Sequence, residues 1–305
     1  MRRTVTGWLA MAVLGAALST ALPAAAQDEP PADDPDTTIV VTGEKDEPPS
    51  RGEVYDQARE VSRVGRYQLY DEALPRFETP LCPGVFGIRD DYAQEMTDRI
   101  RANAARLDVK IAKRGCSPNL FIAFVDDGRD LLTRLARTHS KVFCIIGEAE
   151  QEEILREGEP VRVWSHIRTI DIRRTGLPTR IFRCREDIPS QGSKVGMFLP
   201  ERRDIVSSLV VFDREEVLGM TVVQLADYAT MRGLSHTRPA SGDERMETIL
   251  ALFEGDRSSP PELTRFDVGY LASLYTSRPD QRAITRFLGV RRRAERAAEE
   301  AAGGH

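Results

Sequence analysis

The folded part of this 305-residue chain has no excess charge of either sign. When Arg2, Arg3 and the charged residues of 27–50 are set aside, 40 basic and 40 acidic residues remain. A neutral body lacks the general electrostatic attraction on which nucleic-acid binding depends, so we predict no nucleic-acid partner. Beyond residue 26 no apolar run approaches the roughly 18 residues of a transmembrane helix. We therefore expect no transmembrane segment in the mature chain.

Residues 1–26 have the order of a secretory signal peptide. Arg2 and Arg3 form a short basic region, residues 8–22 are apolar, and three alanines precede Gln27. The apolar stretch is too short for a comfortable transmembrane helix, and small residues stand where a signal peptidase cleaves. We predict cleavage after Ala26 and a periplasmic mature protein. The alternative is an uncleaved membrane anchor.

Cysteine motifs for zinc or redox chemistry are missing, because no two of the four cysteines have CxxC spacing. An even number of cysteines in an exported chain favours disulfide bonds. Of the three pairings we prefer Cys82–Cys116 together with Cys144–Cys184. Cys82 and Cys116 both stand in turn-rich loops that flank one predicted helix–strand unit. We predict neither a metal ion nor a cofactor.

Residues 27–50 are acidic and rich in proline, a composition that predicts a disordered linker. One short apolar island interrupts the linker and consists of Ile39, Val40, Val41 and Thr42. This island resembles the TonB-box segment of TonB-dependent outer-membrane receptors, which adds a strand to a periplasmic partner. The resemblance implies a TonB-type partner. The plainer interpretation is an extended tether or a docked edge strand.

Residues 51–280 are predicted to form one α+β domain with a mixed sheet and packed helices, followed by a charged helical tail at 281–305. Apolar residues at helical spacing predict a helix within 51–75 and further helices at 90–107, 130–137, 244–253 and 264–275. Short apolar runs predict strands at 109–112, 120–125, 162–171, 179–184 and 208–212.

The clearest helix signal lies at residues 221–232. Thr221 and Gln224 have capping-box spacing, and Gly233 is expected to end the helix in a left-handed conformation. The predicted buried stripe of this helix consists of Val222, Leu225, Ala226 and Ala229.

Four segments carry a resemblance to a known family: the strand and helix at 119–137, the strand at 208–213, the helix that ends at 231–234, and the segment 263–275. Over about half of the chain, their order resembles a family of exported bacterial proteins proposed to be zincin-like metallopeptidases. The resemblance implies a zincin-like scaffold. In that family the helix corresponding to 221–232 carries a His-Glu pair, which supplies a zinc ligand and the group that activates the metal-bound water.

This chain has Leu225 and Ala226 where the family has the His-Glu pair, with Asp227 and Thr230 at the neighbouring polar positions. Leucine and alanine can neither bind zinc nor transfer a proton. The resemblance therefore implies a degenerate zincin-like fold, a pseudoenzyme from which the catalytic residues have been lost.

The candidate cleft or ligand-binding residues are Asp227, Tyr228, Arg232 and His236. A carboxylate among core residues must be solvated, hydrogen-bonded or paired. Asp227 therefore either lines a vestigial cleft or forms a buried structural lock to Arg232 or to a nearby turn, and we favour the lock. Asp267, three residues after Thr264, is predicted to cap the N-terminus of a helix.

Together these features predict an exported cell-envelope protein that binds or scaffolds an envelope partner and is not an enzyme. Two alternatives stay open. One is a metal-dependent peptidase or other hydrolase whose ligands the sequence does not reveal, and the other is a TonB-linked periplasmic adaptor acting through residues 39–42.

Overall fold

The structure is a computed structural model that describes residues 49–65, 69–70, 72–138, 151–152, 154–155, 160–172, 201–239, 246–254 and 259–303. Its helices include α1 (Arg51–Val61), α2 (Asp90–Arg106), α3 (Gly128–Thr138), α4 (Val222–Ser235), α5 (Arg265–Tyr275) and α6 (Ala283–Gly303). Its strands include β1 (Pro83–Phe86), β2 (Leu120–Val125), β3 (Val161–Asp171) and β4 (Glu201–Asp213), and a 3-10 turn spans Ile249–Ala251. These helices and strands belong to one compact unit, Pro48–His305, so the α+β prediction is confirmed.

Several predicted features lie outside the described residues. They are the signal peptide, the linker up to residue 48 with Ile39, Val40, Val41 and Thr42, the strand at 179–184, and the pair Cys144–Cys184. Among the described helices, none combines the length and the apolar character that crossing a bilayer requires.

The sheet has the strand order β1-β2-β4-β3 and is mixed. β1, β2 and β4 run parallel, whereas β3 pairs with β4 in the antiparallel direction. Parallel neighbours require a crossover connection, and α2 supplies it between β1 and β2. β2 is apolar at every position, as expected of a central strand with both faces covered, and alternate residues from Leu120 onward are fully buried.

The two faces of the sheet are covered by different helices. Ile122 of β2 and Ile100 of α2 belong to the main core, which fills the space between the first face and the helices α2 and α4. On the second face, Leu132 of α3 packs with Trp164 of β3 and Val211 of β4 in a smaller core. The larger core therefore surrounds α4, the helix on which the sequence places its candidate site.

The capping box predicted for α4 is confirmed. The Thr221 hydroxyl accepts from the Gln224 amide at 3.1 Å, and the Gln224 Oε1 atom accepts from the Thr221 amide at 3.0 Å. The burial of α4 exceeds the predicted single stripe, because all residues from Leu225 to Ser235 are buried. The helix is covered on every side rather than lying on the surface of the domain.

The predicted end of α4 at Gly233 is wrong. The helix continues to Ser235, and His236 takes the left-handed conformation with a φ of 51°. Glycine is instead required at position 233 by packing, since a Cβ atom there would lie 2.6 Å from Cδ1 of Leu120. The sequence signal was a real requirement for glycine, but its cause is close contact between α4 and β2.

Other predicted elements differ in extent, including the strand expected at 208–212, which begins at Glu201 as β4. The helix expected at 244–253 is wrong in its described part, where only Ile249–Ala251 forms a 3-10 turn. The strand expected at 109–112 is reduced to one bridge between Ile111 and Leu81. The helix expected as a tail packs on the body, because Phe287 and Val290 of α6 belong to the main core.

The predicted disulfide Cys82–Cys116 is confirmed. It joins the residue before β1 to the loop before β2, where the Asn119 side chain also accepts from the Cys82 amide at 2.8 Å. The bond therefore holds the starts of two paired strands together. In the chain-entropy model, a disulfide that closes a loop of this length stabilises the folded protein by about 3–4 kcal/mol.

Candidate functional site

Asp227 is the centre of the polar cluster on α4, and its side chain is completely buried. Arg99 of α2 donates to both carboxylate oxygens, with an Nε–Oδ1 distance of 2.8 Å and an Nη2–Oδ2 distance of 2.6 Å. Asn103 Nδ2 donates to Oδ1 at 2.6 Å, and the Leu263 amide donates to Oδ2 at 2.8 Å. One carboxylate thus ties α4 to α2 and to the segment that enters α5.

The geometry of the Arg99–Asp227 pair is the strong bidentate kind, in which two parallel N–H groups meet two oxygens. Hydrogen bonding to Asp227 raises the pKa of Arg99 above its ordinary value. Arg99 is one quarter exposed and also donates to the surface carboxylate of Glu262 at 2.9 Å. The guanidinium therefore connects a buried anion to an exposed one.

Asn103 and Thr230 complete the cluster. The Thr230 hydroxyl donates to the Ala226 carbonyl at 2.8 Å and accepts from Asn103 Nδ2 at 3.3 Å. Both side chains are buried. The Thr230 hydroxyl, at the polar position near Asp227, is thus used in hydrogen bonds within the protein.

The lock is formed with a different partner from the one expected. The guanidinium that holds Asp227 is Arg99, whereas Arg232 Nη1 donates to the Tyr228 hydroxyl at 2.7 Å. Of the two partners expected for Asp227, Arg232 is therefore wrong. The other, a nearby turn, agrees with the structure, because the Leu263 amide donates to the carboxylate. Tyr228 also packs edge-on against Phe253, with ring centroids 5.0 Å apart.

His236 caps the C-terminal end of α4 and is not among the hydrogen-bond partners of Asp227. Its imidazole is buried, and burial followed by the charges of Arg63, Arg203 and Arg232 lowers its pKa well below the ordinary value. The ring is therefore neutral at neutral pH. Its position follows from the left-handed helix end, a conformation in which histidine is enriched among non-glycine residues.

The positions that would correspond to a His-Glu pair are apolar and enclosed. Leu225 belongs to the main core, and Ala226 has no exposed surface. Within the described residues no group of three or more His, Cys, Asp or Glu side chains is placed to share a metal ion. A pocket of about 10 Å³ lies elsewhere, beneath α3, between Leu132 and Ile154.

Asp267 forms a second buried polar centre, and its predicted capping role is confirmed. The Thr264 hydroxyl accepts from the Asp267 amide, and an Asp267 oxygen accepts from the Thr264 amide at 2.9 Å. The same carboxylate accepts from the Thr248 hydroxyl at 2.5 Å and the Ile249 amide at 2.8 Å. Burial raises the pKa of Asp267 to about 6.

Sequence reasoning missed Arg99 and Asn103 as the partners of Asp227. A signal for them exists, because the two residues are four apart on α2 and lie next to its buried apolar residues Ile100 and Ala104. Polar side chains at that spacing beside an apolar stripe share one helix face. They were therefore candidates for a buried contact, although the sequence did not indicate with which residue.

Comparison with known proteins gives no family. No protein-family model, curated protein or solved structure matches this chain. Function therefore has to be inferred from the contacts of α4 and of the residues around it.

Proposed function

We propose that this protein is an exported cell-envelope protein whose body is a non-catalytic binding or scaffolding domain on a degenerate metallopeptidase-like fold. The observation that carries the proposal is the state of Asp227. Both of its oxygens accept hydrogen bonds from Arg99, and each accepts one more, from Asn103 or from the Leu263 amide. This carboxylate is engaged in holding three segments together.

Chemistry at a carboxylate requires access to a substrate or to a water molecule. A general base must lie within hydrogen-bonding distance of the proton that it removes. Asp227 has no exposed surface, and the residues before it, Leu225 and Ala226, present only apolar atoms. The α4 cluster is therefore suited to stabilising the domain, and any binding takes place on its outer surface.

The order of elements supports a zincin-like scaffold. The strand, helix, strand and capped helix on which the resemblance rests are present as β2, α3, β4 and α4, with α5 following. α4 follows β4 directly and packs beneath the sheet, so its residues would face the interior of such a fold. The loss of the His-Glu pair fits the conversion of this helix into a core element.

Export is supported by two features of the chain. Residues 1–26 have the basic, apolar and small-residue order of a signal peptide. Cys82 and Cys116 form a disulfide bond, and such bonds persist in oxidising compartments such as the periplasm. We propose a periplasmic location on these grounds.

Metal analysis of the purified protein tests the non-catalytic assignment. We expect substoichiometric zinc after dialysis, and the same low value for Asp227→Asn. Near-stoichiometric zinc that survives dialysis, together with cleavage of a casein substrate that a chelator abolishes, would contradict the proposal. The location is tested separately by the intact mass of protein recovered from the periplasm, which should correspond to a chain that begins at Gln27.

A further inference from the structure

Residues 246–254, which contain the 3-10 turn, form a strap that packs on α4. Ile249 and Leu252 of the strap belong to the main core, and the Phe253 ring lies edge-on against Tyr228 with centroids 5.0 Å apart. Within the part of the chain that the structure describes, the backbone-to-backbone hydrogen bonds of the strap join only its own residues. The strap is therefore held on the domain by apolar packing and by side chains of other elements.

Two buried side chains from other helices fasten the strap. Gln57 of α1 donates from Nε2 to the Met246 carbonyl at 3.1 Å and accepts from the Met246 amide at 2.7 Å. Asp267 of α5 accepts from the Thr248 hydroxyl at 2.5 Å and from the Ile249 amide at 2.8 Å. The amide side chain of Gln57 has no charge to gain or lose, whereas the carboxyl group of Asp267 can be protonated or ionised.

Asp267 and Asp227 are both completely buried, but their partners differ. Asp227 has the guanidinium of Arg99 as its counter-ion. Among the described residues, the donors to Asp267 are amide and hydroxyl groups of the strap and of Thr264, which carry no charge. A carboxylate that is buried without a cation is readily neutralised by a proton. Burial accordingly raises the pKa of Asp267 to about 6.

The charged side chains of the described elements around Asp267 donate no hydrogen bond to it. They include Glu247 and Glu254 on the strap, Arg265 on α5, Glu262 before α5, Asp227 and Arg232 on α4, and Arg291 and Arg293 on α6. Glu247 and Arg265 are exposed to solvent, although they are close to this contact in the sequence. The pKa of Asp267 is therefore set by burial, which raises it, and by hydrogen bonds from neutral groups, which lower it.

We propose that Asp267 is a pH-sensitive latch, which fastens the strap when its carboxyl group is protonated and lets the strap open more often when it is ionised. Oδ1, whose partner is the Thr248 hydroxyl, takes the proton, while Oδ2 continues to accept from two backbone amides. Opening brings the ionised carboxylate into water and withdraws Phe253 from Tyr228, a residue of the candidate cleft. The latch does not depend on the proposed function.

The closed strap binds the proton more tightly than the open strap does. The pKa of Asp267 is about 6 when the strap is closed, whereas a carboxyl group of aspartate in water has a pKa of about 3.9. The extra stability of the closed strap is therefore fully present below about pH 4 and is lost as pH rises through about 6. A difference of about two pKa units corresponds to about a hundredfold change in the equilibrium constant for opening.

Peptide-resolved hydrogen exchange of the full chain, between about pH 4.5 and about pH 7.5, measures the opening of the strap. The quantity compared is the protection factor, from which the intrinsic pH dependence of amide exchange has been removed. We expect protection of residues 246–254 to fall about tenfold to a hundredfold as pH rises and to level off above about pH 6. Protection of β2, in the centre of the sheet, should change much less.

Three variants separate Asp267 from other titratable groups. Asp267→Asn keeps an oxygen acceptor but cannot ionise, so protection of the strap should stay high at every pH. Glu247→Gln is the matched control, since it removes an exposed carboxyl group from the strap itself and should keep the parent profile. Thr248→Val removes the donor to Oδ1 and so disfavours the ionised form, and the profile should level off at a higher pH. This shift tests the latch even if Asp267→Asn does not fold.

Four results would overturn the proposal. Protection of the strap could be independent of pH, Asp267→Asn could keep the pH dependence, or Glu247→Gln could abolish it. An equal fall of protection in β2 would show a loss of global stability instead of the opening of the strap. None of these results changes the zinc content of the protein or its compartment, so the latch and the proposed function fail independently.

Discussion

Substitution of Arg99 is the most direct way to test whether α4 is held by its buried carboxylate. In Arg99→Ala, Asp227 keeps the hydrogen bonds from Asn103 and from the Leu263 amide but loses its counter-ion. Asp227 is fully buried and cannot recover the lost interaction from water without opening the core. The variant therefore places an uncompensated charge among α2, α4 and the entry to α5.

The expected cost follows from the asymmetry of buried ion pairs. Removing one partner of such a pair destabilises a protein by about 3–5 kcal/mol, although replacing both partners is often nearly neutral. We expect a loss in this range for Arg99→Ala, and a smaller loss for Arg99→Leu/Asp227→Leu than the two single losses predict. The coupling energy between Arg99 and Asp227 should be about 2–3 kcal/mol.

Urea unfolding followed by circular dichroism measures these changes. A loss of 3–5 kcal/mol lowers the midpoint by about 1–2 M for a domain of this size. Glu262→Ala is the matched control, since it removes the other carboxylate of Arg99, which is 60% exposed. Exposed pairs contribute about 0–1 kcal/mol, so this midpoint should change little.

The reasoning fails if Arg99→Ala lowers stability by less than about 0.5 kcal/mol. It also fails if Glu262→Ala is as damaging as Arg99→Ala. In either case the buried carboxylate would not be the element that holds α4, and a role for Asp227 beyond stability would have to be considered.

Three further predictions use the same unfolding assay. Thr221→Ala removes the side-chain half of the capping box of α4 and should cost about 0.5–2 kcal/mol, whereas an unchanged midpoint would show that the cap is not needed. Gly233→Ala gains helix propensity of about 1 kcal/mol but places a Cβ atom 2.6 Å from a buried Leu120 methyl group. We expect the overpacking to prevail, with a net loss of about 1 kcal/mol that shrinks in the Leu120→Val background. Burial raises the pKa of Asp267 to about 6, above the unfolded value of about 3.9, so the folded chain holds this proton more tightly. The stability that depends on Asp267 should therefore fall as pH rises from about 4 to about 6 and then level off, and Asp267→Asn should flatten this segment of the profile.

The elements that the sequence predicts well are those defined by local signals. α2 was expected at 90–107 and spans Asp90–Arg106, and β2 has the expected bounds, 120–125. The first is marked by apolar residues at helical spacing, and the second by a short run of apolar residues between turns. The capping boxes of α4 and α5 are also local, since both depend on two side chains three residues apart.

Features that depend on distant contacts are predicted less well. Gly233 signals a helix end by composition, yet the contact that requires glycine comes from Leu120, more than a hundred residues earlier. Residues 281–305 are charged and indicate a tail, yet Phe287 and Val290 supply the apolar contacts that attach the helix to the core. The overall composition of a helix does not show which few of its positions are buried.

The candidate site shows the same division between local and distant information. The sequence alone indicates that Asp227 lies among core residues, and a buried carboxylate requires a hydrogen-bonding or charged partner. The partner's identity depends on which face of α2 lies against α4, and this follows from the crossover between β1 and β2. Arg232, the guanidinium nearest in sequence, is five residues further along α4 and donates to Tyr228, one turn away. Residues five apart on a helix do not share a face, whereas residues four apart do. Helix geometry alone therefore argues against an Asp227–Arg232 lock and leaves the partner to be supplied by another element.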